Sequence, residues 1–502
     1  MKNDLIERIL KARVYDVARE TPLDFARSLS RRFENTIYLK REDLQPVFSF
    51  KLRGAFNCMQ NLSPEAKARG VITASAGNHA QGVAYAGKHL GLPTTIVMPT
   101  ITPDIKVNNV RAFGGNAVLA GNTFDEAYAH AMELCERDGL TFVHPFDDLD
   151  VIAGQGTIGM EITRQHPDKL DAVFICVGGG GLIAGIGTWI KYLSPETKII
   201  GIEHEEAPSM TTALKAGKRV MLDQIGTFAD GAAVKIAGEN TFAIASEVVD
   251  EMITVSTDET CAAIKDVFED TRTLLEPAGA LGVAGMKKYI QRENCKDQKF
   301  VAISSGANIN FDRLRHVAER AELGEKREAL FAITIPEEAG SFRKFCETVG
   351  NRAITEFNYR YSDKNKAQVF VGTKVSGTEE KDELLKQLND SGTPVLDLTD
   401  NEVAKVHMRF MGGGHAPELT DEVLFRVRFP ERPGALLHFL NNMNGWNISL
   451  FHYRNHGSDF GRVLIGMQVP LEERTNFKEL LEKLGYYYSD ETQNPVYQHF
   501  LR

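Results

Sequence analysis

Four short segments carry side chains whose types and spacing could do chemistry. Ser49-Phe50-Lys51 sets a lysine where a helix would begin, and a buried lysine amine loses its proton readily enough to serve as nucleophile and base. Ser75-Ala76-Gly77-Asn78-His79 offers a hydroxyl, a close backbone approach, an amide and an imidazole just before a helical run. The free N–H groups of such a helix start suit a carboxylate or a phosphate. Gly178, Gly179, Gly180 and Gly181, followed by Leu182, form a loop whose amides can wrap a phosphate. Ser304-Ser305-Gly306-Ala307-Asn308 ends an apolar run with hydroxyls beside a flexible turn.

Each segment also has a plainer reading. A lysine is usually a solvated surface residue, although the dipole mildly disfavours one in a first helical turn. Asn78 suits helix capping, and His79 suits local packing or hydrogen bonding. The glycine loop is ambiguous about which phosphate it holds. Gly179, Gly181 and Ala184 fit G-x-G-x-x-A, and Glu203 ends the next strand about 20 residues on, as a dinucleotide-binding fingerprint requires. The SSGAN segment could be a turn and nothing more.

The elements that must position these groups are legible as alternation. Candidate strands are residues 36–40, 70–75, 94–99, 116–120, 172–177, 198–203 and 300–305, separated by runs of helical length and period. Strand and helix in steady succession predict βαβ units and parallel sheets, with ligands at the carboxyl ends of strands. Ser49 is expected to cap a helix whose apolar face is Leu52, Ala55, Phe56 and Met59.

The chain has 502 residues, 43% hydrophobic and 25% charged, with a formal net charge of −10. That length asks for about three domains. An acidic balance argues against nucleic acid and anionic membrane as partners, so a small-molecule task is expected. No run of about 18 apolar residues and no secretory leader are evident, which predicts a cytoplasmic protein, or an organellar one numbered from its mature end. Six scattered cysteines without a CxxC pair suit neither a disulfide framework nor structural zinc.

In family order, REDLQPVFSFKLRGA, SAGNHAQG, GGGGL, LEPAGA and SSGAN resemble the motifs of the fold-type II pyridoxal-phosphate enzymes, and among them the biosynthetic threonine dehydratase family. The resemblance runs along nearly the whole chain. It implies pyridoxal 5'-phosphate as cofactor, with Lys51 holding it as a Schiff base beside Phe50 and Asn78 meeting the ring oxygen. Gly178, Gly179, Gly180, Gly181 and Leu182 would hold the phosphate, and Ser305 the pyridine nitrogen, with Ser304 one residue away as the other choice. Ser75, Ala76, Gly77, Asn78 and His79 would receive the substrate carboxylate. Phosphate, ring oxygen, ring nitrogen and aldehyde are separated points of one flat molecule, and four strand-end loops supply one group for each. A nicotinamide dehydrogenase needs neither Lys51 nor Ser305 there.

The implied reaction is deamination of L-threonine to 2-oxobutanoate and ammonia, with L-serine as the other candidate substrate. A serine dehydratase or a racemase shares the logic of the first 310 residues. Lys51 would remove the α-proton, and a hydroxyl at the ring nitrogen supplies no counter-charge, which favours prompt loss of the β-hydroxyl. Glu276 reads equally as an acid near the site or as a helix-starting residue before Pro277. Asp230 resembles a pocket or cation-site residue of relatives, and no metal is assigned.

Beyond residue 310 the sequence repeats itself. Segments starting at Phe331 and Phe425 match at 11 of 42 positions, all 94 residues apart, from Phe331/Phe425 and Pro336/Pro430 to Val369/Val463 and Gly372/Gly466. Two copies at this period read as a duplicated domain. In each, a strand meets a glycine-ending turn (337–340 and 431–434) and then a helix. The copies resemble ACT-like regulatory domains, which implies isoleucine as inhibitor, valine as its antagonist, and a homotetramer. The expected fold is α/β: a catalytic part of two parallel-sheet lobes over residues 1–320, with the small lobe at about 41–146, then a helical neck at 321–328. Two α+β ACT-like domains follow at 329–400 and 421–494.

Overall fold

β-Branched runs become strands here where helices can cover both of their faces, which is why the parallel strands read as continuous apolar stretches. The computed structural model describes residues 2–336, 348, 352, 354–360, 366–408, 421–430, 446–454 and 460–501. It divides into two compact units, Met1–Asn310 and Phe311–Arg502.

In chain order the strands of the first unit are β1 (Leu23–Phe25), β2 (Thr36–Arg41), β3 (Val71–Ala74), β4 (Thr94–Met98), β5 (Asn116–Leu119), β6 (Thr141–Phe142), β7 (Ala172–Cys176), β8 (Lys198–His204), β9 (Glu251–Val255) and β10 (Lys299–Ser304). They form two sheets, a six-stranded one ordered β1-β2-β10-β7-β8-β9 and a four-stranded one ordered β5-β4-β3-β6. Every pairing is parallel except β1 with β2. All seven expected strands are present. The structure adds β1, β6 and β9, which are short or carry charge on their exposed face.

The helix Lys51–Gln60 puts Leu52, Ala55, Phe56 and Met59 into the small-lobe core with Val71, Val83 and Ile96, as its period predicts. Ser49 does not cap this helix. Phe50 precedes the first turn in helical conformation with no side-chain cap, while Ser49 pairs with Gly306 in an isolated bridge. Its backbone is committed to the strand-end turn instead.

Two devices fix the helix in place. It crosses the helix Leu149–Gln165 at a pair of glycines, so that a Cβ on Gly54 would lie 2.6 Å from the Val151 carbonyl oxygen and one on Gly154 2.7 Å from that of Arg53. Arg53 also sits in a fully buried charge network. Its guanidinium donates to Glu42 Oε1 at 2.8 Å and to Glu161 Oε1 at 2.6 Å, and Lys40 Nζ donates to Glu161 Oε2 at 2.6 Å. Two cations and two carboxylates balance, which is the condition for holding charge in a dry interior.

The second unit contains two four-stranded sheets. The first is β12-β13-β11-β14, built from β11 (Glu328–Pro336), β12 (Ile354–Arg360), β13 (Lys366–Lys374) and β14 (Val395–Asp397). The second is β16-β17-β15-β18, built from β15 (Glu422–Pro430), β16 (Asn447–Arg454), β17 (Phe460–Gln468) and β18 (Tyr488–Asp490). The duplication holds at the level of register: Phe331 pairs with Val371 and Phe425 with Ile465, and the register shifts at Ile354/Glu356 and again at Ile448/Leu450.

Leu330 and Phe370 of one copy share a core with Leu424 and Leu464 of the other. That core reaches past the expected ends at 400 and 494, because Val403, Ala404, Tyr497 and Phe500 close it. The helix Arg313–Gly324, expected partly in the catalytic part and partly in a neck, belongs to this unit. Leu323 enters the shared core, and Arg320 pairs with Glu402 at 2.9 Å. The glycine-ending turns at 337–340 and 431–434 lie outside the described residues. Among those described, no helix is long and apolar enough to cross a membrane.

Candidate active site

Lys51 opens its helix, and its Nζ donates to the Pro145 carbonyl at 2.9 Å and lies 5.4 Å from the centre of the Phe50 ring. Burial pulls the ammonium down to about 8, with Cys176 and Glu276 nearby pulling the other way. About a tenth of the amine is therefore neutral at pH 7, far more than for an ordinary lysine.

The segment after β3 behaves as its composition suggests. Ser75, Ala76 and Gly77 are partly exposed, and a Cβ on Gly77 would meet nothing within 4 Å, so this loop faces open space at the start of the helix Asn78–Leu90. Gly77, not Asn78, takes the capping position. The Asn78 side chain is held from two sides, with Nδ2 donating to Glu276 Oε1 at 2.5 Å and Oδ1 accepting from Asn308 Nδ2 at 2.6 Å, which leaves the second Nδ2 hydrogen to give. His79 bonds across the fold rather than locally, Nε2 meeting the carbonyl of Val143, 64 residues on, at 3.0 Å, and burial drives its pKa down to about 3. It is a neutral imidazole at the helix start.

The glycine loop follows β7. Gly180 has φ +96°, a left-handed conformation that favours glycine, and Gly181 opens the buried helix Gly181–Leu193. Added side chains would not fit. A Cβ would lie 2.9 Å from the Ala232 carbonyl at Gly178, 2.2 Å from the Phe146 ring at Gly179 and 2.9 Å from the Phe146 carbonyl at Gly181. The result is a loop of bare amides backed by a helix start, with Leu182 buried in its first turn.

β10 runs parallel to β7 and delivers Ser305 one residue past its end. Ser305 Oγ accepts from Cys176 Sγ at 3.2 Å, and the Ser305 carbonyl accepts from the Phe50 amide at 3.2 Å. Ser304 is fully buried, and its hydroxyl has no partner among the described residues.

The four segments thus converge. Lys51 reaches Pro145, whose neighbour Phe146 covers the glycine loop; Phe50 is tied to Ser305; and Glu276 starts the helix Pro277–Glu293 while meeting Asn78. Asp230 pairs with Lys106 Nζ at 3.0 Å. Sequence reasoning missed Cys176, Pro145, Phe146 and Asn308. The first ends a core strand and the next two sit in a connection without a motif, while Asn308 carries no signal of its own beyond its place in SSGAN.

The arrangement fits a flat aldehyde with a phosphate: a bare-amide cradle, an amine of lowered proton affinity, a fixed amide and a buried hydroxyl. It does not fit a dinucleotide. Glu203, the acid a ribose would need, is fully buried and accepts from the backbone amides of Met210 and Thr211, each at 2.8 Å.

Residues 14–306 match the family model described as pyridoxal-phosphate dependent enzyme, and residues 319–408 and 413–501 match the C-terminal regulatory domain of threonine dehydratase. The chain is 54% identical over 503 residues to a biosynthetic L-threonine dehydratase of Burkholderia multivorans, covering 99% of each chain. It is 52% identical over 500 residues to that of Escherichia coli, covering 99% of this chain and 97% of the relative. The processed form of threonine deaminase isoform 2 from Solanum lycopersicum is a structural neighbour at TM-score 0.63 and 55% identity, covering 64% of this chain and 93% of that one.

Proposed function

The chain belongs to the pyridoxal-phosphate dependent enzymes and, among them, to the biosynthetic threonine dehydratase family, and from that premise we propose that it deaminates L-threonine to 2-oxobutanoate and ammonia. The observation that carries the reading is the convergence of the lowered-pKa Lys51 with the bare glycine cradle in one site.

Pyridoxal phosphate, when bound, supplies an electron-withdrawing ring that acidifies the substrate α-carbon. Lys51 holds it and, once freed, takes the α-proton on Nζ, a step that needs the neutral amine its burial provides. Backbone amides of the open Ser75–Gly77 loop and the helix start behind it, with Asn78 and His79 at its first turn, receive the substrate carboxylate. The Gly178–Gly181 amides and that of Leu182 hold the phosphate. Asn78 presents its amide to the ring oxygen, and Ser305 places a neutral hydroxyl at the ring nitrogen. Ser305 supplies no counter-charge there, which would favour loss of the β-hydroxyl over transamination.

The duplicated second unit makes the enzyme a feedback-controlled one, with isoleucine as inhibitor, valine as antagonist and a homotetramer as the working assembly. Such control is a coupling free energy between separate sites. A 2-oxo-acid assay of the full chain, reading 2-oxobutanoate from threonine and pyruvate from serine, with and without isoleucine, tests both statements. Threonine turnover suppressed by isoleucine is expected; absence of threonine turnover, with or without turnover of serine, overturns the activity, and indifference to isoleucine overturns the control.

A further inference from the structure

Cys176 is the last residue of β7 and stands two positions before the glycine loop. β7 and β10 pair in parallel as far as Phe174 and Ala302, and past that point Cys176 Sγ meets Ser305 Oγ at 3.2 Å, both side chains buried. A serine hydroxyl has one proton to give and two lone pairs. The thiol proton occupies one lone pair. The hydroxyl's own proton is directed at the Ala278 carbonyl across 3.4 Å, a long contact that a better acceptor can displace. Ser304, one residue earlier, has no such donor beside its hydroxyl. Burial pushes the Cys176 thiol up to about 11, so the S–H stays a neutral donor over the working range and adds no charge beside the ring.

We propose that Cys176 is a positioning residue whose thiol sets the direction of the Ser305 hydroxyl, so that Ser305 donates a hydrogen bond to the pyridine nitrogen and stays neutral. This rests on the reading of Ser305 as the residue that meets that nitrogen. The Cys176 donor makes Ser305 a donor in turn, and selects it over Ser304.

Visible absorption of the holoenzyme, titrated with pH, tests this in the wild type, Ser305→Ala, Cys176→Ala, Cys176→Ser and the double variant. Ser305→Ala should shift the cofactor band and its pH midpoint. Cys176→Ala should shift both in the same direction by less and weaken cofactor retention about fivefold, the size of one lost hydrogen bond. Cys176→Ser, again an O–H donor, should restore the wild-type band, and the double variant should match Ser305→Ala alone. A merely structural cysteine would change the melting temperature and leave the band alone. Wild-type band and midpoint in Cys176→Ala, beside a shifted Ser305→Ala, overturn the proposal while the Ser305 reading stands; an unshifted Ser305→Ala overturns both. Should Cys176→Ala fail to fold, the infrared S–H band of the wild type, assigned by its loss in Cys176→Ser, decides. It should move when cofactor is removed, and an unmoved band overturns the proposal.

Discussion

Asn78 donates its side-chain Nδ2 to Glu276 Oε1 across 2.5 Å, joining residues 198 positions apart. With Asn308 donating to the other end at 2.6 Å, the orientation of the Asn78 amide is fixed before any ligand arrives. Glu276→Ala should therefore release the amide and weaken cofactor affinity about fivefold to tenfold, while Glu276→Gln, which keeps an acceptor, stays within about twofold. Fluorescence titration of cofactor-free protein measures both; equal losses in the two variants would show that charge, not orientation, is what Glu276 contributes.

Lys51 gives a pH prediction. Its ammonium is pulled down to about 8 by burial, so the fraction of neutral amine rises through that pH. The rate at which cofactor-free protein captures pyridoxal phosphate covalently should climb with a midpoint near 8, followed by stopped-flow absorbance. The sign for stability is the same. Between about 8 and the unfolded lysine value the unfolded chain binds the extra proton, so this residue's contribution to stability rises with pH across that window.

Glu203 has the opposite sign. Its carboxyl is buried against the start of the helix Ser209–Ala216 and pushed up to about 7. The folded state then holds a proton the unfolded chain would release, so its contribution is full below the ordinary carboxylate range and lost as pH rises towards 7. Glu203→Gln should flatten the dependence of the thermal midpoint on pH between about 4.5 and 7.

Much of the fold is legible in the sequence. Strands such as β3, β7 and β10 announce themselves because strands covered on both faces are apolar nearly throughout, and the helix carrying Lys51 shows its buried face in Leu52, Ala55, Phe56 and Met59. β1, β6 and β9 escape because three- and two-residue strands, and a partly exposed one, have no such pattern. The repeat was visible at a spacing of 94 only as far as Gly372. Beyond it the copies lose one residue, so Asp397 and Asp490, Thr399 and Thr492, Asn401 and Asn494 correspond at 93. Their bonds show it: Thr399 and Thr492 each accept from a β11 or β15 amide, Leu330 at 3.2 Å and Leu424 at 3.1 Å. At the site, motifs located the four loops, but hydrogen bonds such as Asn78 to Glu276 or Cys176 to Ser305 are made between distant segments and leave no local trace.

The buried charge network makes a stability prediction. Arg53→Met removes one partner and leaves Glu42 and Glu161, which are fully buried, short of a cation. The expected cost is about 3–5 kcal/mol, read as an earlier urea midpoint for the catalytic unit. Because Lys51 lies two residues away on the same helix, cofactor retention should fall along with it.

The central claim is that Lys51 carries the cofactor that does the lyase chemistry. Borohydride treatment of the holoenzyme followed by peptide mass spectrometry, run beside the 2-oxobutanoate assay in wild type and Lys51→Ala, measures it most directly. The cofactor mass should appear on Lys51 in the wild type, and Lys51→Ala should lose both the adduct and turnover; an adduct on another lysine, or an active Lys51→Ala enzyme, would contradict it.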